Sequence, residues 1–442
     1  MGELHGLTLA VNSGNPMKIL VLGSGGREHA LIRALAQSPG DHEIIAAPGN
    51  AGIDAEIECR NLTTLPGVIR YCQGNKVELV VIGPEQPLVD GWADALRAAG
   101  IAVFGPGARA AEIEASKDFT KRLCDRYHIP TARYRTFRLM KEALAYLKEV
   151  GAPIVVKADG LAAGKGVTVA LTFDEAESAI KACFSGAFGA AGNAVVLEEM
   201  LEGEEASIFA LADGKTAILF GSAQDHKRAF DGDTGPNTGG MGAFSPAPVV
   251  TDAISAQVMK EIISPAIEGL AAEGIPYIGV IFAGIMVTKD GPKLIEFNCR
   301  FGDPETQVLF ARFNGDAAQL FYRCATGALD ASALSFSPDA AIGVVMASKG
   351  YPGTYVKNTP IGGLDKAAAM EGVTILHAGT AKKGEQWLSN GGRVLTIIAT
   401  AATLTDARDR AYEAIAAIDW PEGFCRKDIG WRALALLPAA GG

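Results

Sequence analysis

The sequence predicts an α/β and α+β protein of several domains, opened by a parallel α/β domain. Three observations carry the prediction. The chain has 442 residues, more than one hydrophobic core organises, which implies roughly three or four domains. From residue 18 to about residue 115, short apolar runs alternate with helix-compatible segments, the pattern of a parallel sheet covered by helices. Beyond residue 135 the runs lie closer together and are joined by glycine-rich turns, as in a small α+β unit.

The elements follow in order. Residues 18–22 form an apolar strand that ends in Gly23-Ser24-Gly25-Gly26, and a helix follows over 27–37. Residues 43–47, 77–82 and 101–104 are further strands. Residues 154–157 and 167–171 read as a hairpin with a long tip, 174–183 as a helix and 194–199 as a strand. Strands at 208–211 and 217–220 lead into a Gly/Asp/Pro-rich stretch, 224–248, that reads as a long ordered loop, uncommon unless it is functional. A helix near 252–273 precedes strands at 278–287 and 293–297. From about residue 340 strands alternate with loops, and a helix closes the series near 405–417.

Composition excludes several classes. Apolar residues make up 48% and charged ones 20%, a balance that favours a packed core over disorder. A net charge of -10 argues against a general nucleic-acid binder but leaves room for a local basic pocket. The seven cysteines are scattered and form no CxxC pair, which fits reduced thiols in a cytoplasmic protein. No apolar run approaches the ~20 residues that span a bilayer. Residues 1–16 contain no Lys or Arg and make a poor signal peptide, so they read as a disordered leader.

Several motifs carry chemistry. The turn at Gly25, Gly26 and Arg27 offers backbone N–H groups and a helix N-terminus to a phosphate. As a dinucleotide fingerprint it fails, because Glu28 stands where GxGxxG needs its third glycine and crowds the helix–strand packing. The segment 160–166 (Gly160, Gly164, Lys165 and Gly166 among its residues) lacks one spacer of a Walker A loop and joins two strands. With Lys157 on the strand before it, this glycine-rich hairpin can cover a triphosphate as a closing loop. Glu198-Glu199 and Glu204-Glu205 flank a turn that suits adenine and ribose, or are solvated surface charge. On a strand, Glu296, Asn298 and Arg300 share one face, with Ile295, Phe297 and Cys299 on the buried side. The first two supply oxygen ligands for Mg2+, and Arg300 can stabilise a transferring phosphoryl group. Segments 222–228 and 235–242 are rich in small and polar groups that can position a small charged substrate; His226 there reads equally as a structural histidine. No HxH or HExxH marks a zinc site.

The phrases GSGGREHAL, APGNAG, GPEQPLVDG, KADGLAAGKGV, EEMLEGEEAS, QDHKR, DTGPNTGGMGAFSPAP, EFNCRFGDPETQ and NGGRVL together resemble the ATP-grasp superfamily. Within it they resemble the phosphoribosylamine–glycine ligase family, from about residue 18 to Arg432. Ser24 departs from the family's usual Asn, and Ala229-Phe230 from a more typical pair. The resemblance implies an N-terminal α/β domain (17–116), an ATP-grasp core (117–134 and 206–340) with an inserted mobile lid (135–205), and a small C-terminal domain (341–442). It implies ATP as co-substrate, Mg2+ or Mn2+ as cofactor, glycine and 5-phosphoribosylamine as substrates, and a cytoplasmic, monofunctional monomer or weak homodimer with no nucleic-acid or membrane partner.

The resemblance also implies the following site residues, carried over by motif as expectations. Lys117 and Lys157 contact ATP phosphates, and Gly160, Gly164, Lys165 and Gly166 close over them. Glu198, Glu199, Met200 and Leu201 form the adenine hinge, Glu205 holds ribose and Asn237 lies by the nucleotide. Glu296 and Asn298 bind the metal, Arg300 faces the γ-phosphate, and Arg300 and Lys157 are the catalytic pair. Gly25, Gly26, Arg27, Glu28, Asn50 and Glu85 serve phosphoribosylamine, with Asp225, Lys227, Gly302 and Asp303 near the reacting groups. Acyl-phosphate chemistry needs no enzyme nucleophile, so no Ser–His or Cys–His pair is expected. Another ATP-grasp ligase, a nucleotide-binding regulator and a nicotinamide dehydrogenase are the rival readings.

Overall fold

The computed structural model describes residues 16–161, 166–186 and 189–436. The expected leader, apart from Pro16, and the expected loop residues Gly164 and Lys165 lie outside them.

Apolar β-branched runs build the first sheet. Strands β1 (Lys18–Gly23), β2 (Glu43–Pro48), β3 (Glu58–Cys59), β4 (Leu79–Ile82) and β5 (Ala102–Phe104) pair in parallel in the order β3-β2-β1-β4-β5. Ile19, Leu20, Val21, Leu79, Val80 and Val81 are fully buried, as strands covered on both faces must be. Strand order reverses between β1 and β4, and a crevice opens at their carboxyl ends.

A second, antiparallel sheet follows, made of β6 (Tyr134–Phe137), β7 (Ile154–Ala158), β8 (Val167–Ala170) and β9 (Val195–Glu199) in the order β6-β9-β7-β8. Helices Met140–Val150 and Phe173–Phe184 cover it with a separate small core that includes Leu147, Val156, Ile180 and Leu197.

The third sheet is the largest. It contains β10 (Glu204–Asp213), β11 (Ala217–Asp225), β14 (Gly242–Ser245), β15 (Ile278–Thr288), β16 (Gly291–Asn298), β17 (Ala340–Ser348), β19 (Val373–His377) and β22 (Arg393–Ala401). These run β16-β15-β10-β11-β14-β17-β22-β19, and β23 (Gly423–Phe424) pairs with β17. One sheet is therefore continuous across residue 340. A three-stranded sheet of β18 (Pro360–Ile361), β20 (Thr380–Lys383) and β21 (Gln386–Ser389) stands beside it.

Two expectations need correction. The stretch 224–248 is not one loop: β12 (Arg228–Phe230) and β13 (Thr234–Asn237) form a hairpin, and β14 belongs to the large sheet. Glycine and proline content hid strands too short to show a period. The helix near 252–273 is interrupted by a π-turn, Met259–Ile263, between Asp252–Val258 and Ser264–Ala272. The helix expected near 405–417 runs Leu404–Ala416.

Candidate active site

Both parallel-sheet turns empty into the switch-point crevice. The turn after β1 leads into helix Gly26–Ala36, and the turn after β4 into helix Glu85–Val89. Glu28 fills the space between them rather than crowding it. A Cβ on Gly23 would lie 2.5 Å from Glu28 Cγ, and one on Gly83 2.0 Å from its Oε1. The Glu28 carboxylate accepts from the Gly25 N–H and from Arg27 Nε, both at 2.6 Å. Arg27 also donates to the Phe301 carbonyl at 3.1 Å, tying the first turn to the chain beyond β16. Asn50 donates to the carbonyls of Ser24 and His377 and accepts from the N–H groups of Gly52 and Ile53. Its amide is thereby saturated by protein, and it braces the loops around the crevice.

On the opposite side, helix Lys117–Tyr127 starts beside the β7–β8 hairpin. Lys117 Nζ donates to the Gly160 carbonyl at 2.8 Å, and the Ala158 N–H donates to the Gly166 carbonyl at 2.8 Å. Lys157, on β7, donates to the Ile295 carbonyl at 3.0 Å and lies 3.0 Å from Glu198 on β9. Glu199 turns outward to Arg133 Nε, at 2.6 Å. Met200 and Leu201, half-buried, carry the chain from β9 toward β10, where Glu205 pairs with Lys227. Asn237 sits opposite Arg228 in the β12–β13 hairpin. His226 accepts the Gly430 N–H at 2.8 Å, the structural reading of that residue.

The register of β15 and β16 explains the polar face of β16. Ile285 pairs with Leu294 but Gly284 with Glu296, so Ile295 is the extra residue of a β-bulge. The bulge reverses the side-chain parity, so Leu294 and Phe297 both enter the core while Glu296 and Asn298 share the other face. Ile295 thus does not belong to the regular buried face, and Arg300 lies beyond the strand's end, not on it. Arg300 reaches Glu114 at 2.9 Å and Glu85 at 3.4 Å. The second oxygen of Glu114 accepts the Cys299 N–H at 2.8 Å.

Charges converge here. Lys227 lies deep in the molecule yet keeps 38% of its side chain exposed, which places it on the floor of a cleft. Burial opposes its charge, but Glu205, Asp225 and Glu296 hold its ammonium well above the ordinary lysine range. Burial likewise opposes ionisation of Glu296, but Lys227, Lys157, Lys117 and Arg300 prevail and hold its carboxyl below the usual range. Glu305 differs: burial, then Asp225, pushes it up to about 8. Its carboxylate packs against Gly302, where a Cβ would lie 2.4 Å from Oε2. Asp303 is depressed by Arg393 and Arg27 against the opposing pull of burial. Arg393 pairs with Asp303 at 3.2 Å and donates to the Gly239 carbonyl, so β22 holds the 235–242 segment against the 302–305 turn.

Glu296 and Asn298 fit Mg2+ or Mn2+ by chemistry, one ionised carboxylate and one amide oxygen on one face. Among the described residues no group of three or more His, Cys, Asp or Glu could hold a metal ion. Two protein ligands suit an ion that takes its remaining ligands from phosphates and water. A groove of about 760 Å3 lined by Asp125, His128, Arg133 and Tyr134 lies away from this charge cluster. A smaller cavity lined by Arg27, Gly83, Cys299 and Arg300 joins the switch-point crevice to the arginine.

Four participants escaped the motif reading. Lys121 sits on the buried stripe of its helix with Thr120, Leu123 and Cys124, and a lysine on such a stripe is the signal that marks it. Arg393 and Glu305 lie inside the quoted NGGRVL and GDPETQ phrases without an assigned role. Glu114 carries no local signal, because its partner is 185 residues away.

Most of the chain matches known proteins. Models of phosphoribosylglycinamide synthetase match the chain as N domain at residues 17–114, ATP-grasp (A) domain at 115–306 and C domain at 341–432. The phosphoribosylamine–glycine ligase of Mesorhizobium japonicum is 56% identical over 421 residues, covering 95% of this chain and 99% of that protein. That of Escherichia coli K12 is 50% identical over 425 residues, with 95% and 99% covered. The solved phosphoribosylamine–glycine ligase of Thermotoga maritima superposes with a TM-score of 0.81 at 30% identity, covering 93% of this chain and all of that one. A biotin carboxylase of Campylobacter jejuni, solved as a β-γ-ATP complex, superposes at 0.72 with 14% identity and 95% of both chains covered, a likeness of fold alone.

Proposed function

The chain belongs to the phosphoribosylglycinamide synthetase family of ATP-grasp ligases, and from that premise we propose which of its residues do which part of the work. It is an ATP-dependent ligase that joins glycine to phosphoribosylamine in de novo purine biosynthesis. The observation that carries the assignment of roles is the cleft in which Lys117, Lys157, Lys227 and Arg300 all act on Glu296. Such a field receives a triphosphate and a carboxylate together.

ATP enters between the β6–β9 sheet and the large sheet. Its adenine lies by Glu198 to Leu201, its ribose by Glu205 and Asn237, and its phosphates by Lys117, Lys157 and the β7–β8 hairpin. The hairpin's sheet, 135–205, is the lid on a core of 117–134 and 206–340. Residues 17–116 and 341–442 flank this core. Mg2+ or Mn2+ held by Glu296 and Asn298 neutralises phosphate charge when bound.

The glycine carboxylate oxygen attacks the γ-phosphorus, forming a C–O–P bond while the bond to the β,γ-bridging oxygen breaks and ADP departs. Arg300 stabilises the charge on the transferring group, and Glu114 and Glu85 aim its guanidinium. The amine of phosphoribosylamine then attacks the acyl carbon of glycyl phosphate. A C–N bond forms, phosphate leaves with the electron pair of the C–O bond, and the nitrogen releases a proton. The amine's phosphate docks at Gly25, Gly26 and Arg27, with Glu85 beside it. Glu28 and Asn50 position that turn, and Asp225, Lys227, Gly302 and Asp303 surround the reacting atoms. Alignment and charge neutralisation supply the catalysis, and closure keeps water from the acyl phosphate.

No helix among the described residues is long and apolar enough to cross a membrane. We place the ligase in the cytoplasm, as a monomer or weak homodimer.

ADP release with ATP and Mg2+ tests the roles, with glycine and phosphoribosylamine added separately and together. Turnover is expected only with both. Glu296→Gln is expected to lose turnover at low Mg2+ while its melting temperature stays near that of the parent; full turnover in that variant removes Glu296 from the metal site.

A further inference from the structure

Helix Lys117–Tyr127 carries two lysines one turn apart, and the second, Lys121, points inward. Its side chain is 3% exposed, so its ammonium needs an acceptor for each of its three N–H groups. It meets Glu198 Oε2 at 3.1 Å, Thr131 Oγ1 at 2.7 Å and the Ala132 carbonyl at 3.5 Å. Thr131 in turn donates its own proton to the Leu294 carbonyl at 2.7 Å, which anchors the lysine to β16.

Glu198 is equally buried, and its two oxygens have different surroundings. Oε2 forms an ion pair with Lys121 at 3.1 Å. Oε1 lies 3.0 Å from Lys157 Nζ, close enough for an ion pair, yet accepts no hydrogen bond from any described group. Lys157 directs its hydrogen bond to the Ile295 carbonyl instead. A buried carboxylate oxygen left so costs free energy, and in a binding site it marks where a ligand's donor arrives.

We propose that Lys121 is a positioning residue for the nucleotide: by holding one oxygen of Glu198 it keeps the other, and the Lys157 ammonium beside it, turned toward bound ATP. Without Lys121, Glu198 closes on Lys157 with both oxygens, and the ammonium directed at the nucleotide is neutralised within the protein. The inference rests on the reading of Lys157 and Glu198 as nucleotide contacts.

Steady-state kinetics of the full chain, with each of the three substrates varied, tests it. Lys121→Met is expected to raise KM for ATP roughly ten- to a hundredfold, the loss of one charge-assisted hydrogen bond, with KM for glycine and phosphoribosylamine unchanged. Lys121→Arg is expected to recover part of the loss. Thr131→Val removes one acceptor of Lys121 without touching its charge and is expected to give a smaller rise confined to ATP, which Thr131→Ser abolishes; this pair decides the matter if Lys121→Met does not fold. An ATP KM within about twofold of the parent, or an equal rise for all three substrates, overturns the proposal. Lys157→Met separates the two layers. If it leaves KM for ATP unchanged, the nucleotide role of Lys157 falls; if it raises that KM and Lys121→Met does not, only the role of Lys121 falls.

Discussion

At neutral pH Glu305 keeps its proton, because burial first and Asp225 second push its carboxyl up to about 8. In the unfolded chain the same group ionises near 4.5. Between those values the unfolded state releases a proton that the folded state retains, so this residue costs stability as pH rises through the window. Glu305→Gln mimics the neutral acid and removes the dependence. Its melting temperature relative to the parent is expected to rise from pH 5 to pH 8, and a constant difference removes the shift. Much at this scale was legible in the chain: the period-two face of Glu296 and Asn298 emerged from alternation alone. The proton on Glu305 was not, since it depends on burial and on Asp225 at the end of β11.

Among the elements, β19 shows how a junction acquires pH sensitivity. His377 at its end is buried against Trp387, with ring centroids 4.6 Å apart, and its N–H donates to His29 Nδ1 at 2.9 Å. Helix Ala51–Asp54 packs so closely that a Cβ on Gly52 would lie 2.2 Å from the His377 ring. Burial, then His29, lowers the His377 pKa from 6.5 to about 4. Below pH 6.5 the unfolded chain takes up a proton that the folded one refuses, so the contribution of this residue to stability falls by ~1.4 kcal/mol per pH unit until about pH 4. The denaturant midpoint of the parent relative to that of His377→Gln is expected to fall between pH 7 and pH 5; a constant difference refutes this. Element order was readable where strands ran long and apolar. It was not readable at β12–β14, where strands of three or four residues carry Gly, Pro and Asn and show no period. The bulge at Ile295 escaped for a related reason: an extra residue appears only when the partner strand is in place.

Across the whole molecule, distant segments are clamped by buried arginines. Arg426, 1% exposed, forks onto Asp428 at 2.8 Å through both Nε and Nη2 and reaches Asp233 at 2.9 Å. It also donates to the Arg228 carbonyl, so the C-terminal segment holds the β12–β13 hairpin beside the cleft. Arg426→Met leaves Asp233 and Asp428 without their buried partner and is expected to cost about 3–5 kcal/mol, measured by urea unfolding. A loss below ~1 kcal/mol, the value of an exposed pair, contradicts that burial. The order of residues alone specified the parallel N-terminal sheet, the glycine turns and the shared face of Glu296 and Asn298, because alternation, turn chemistry and motif spacing are short-range properties. Only the folded chain decided that Lys121 meets Glu198, that Glu114 braces the segment of Arg300 from 185 residues away, and that Arg393 spans 154 residues to Gly239. Such pairings are set by how sheets stack and where helices cross, and a buried charge chooses its partner only after packing has excluded water.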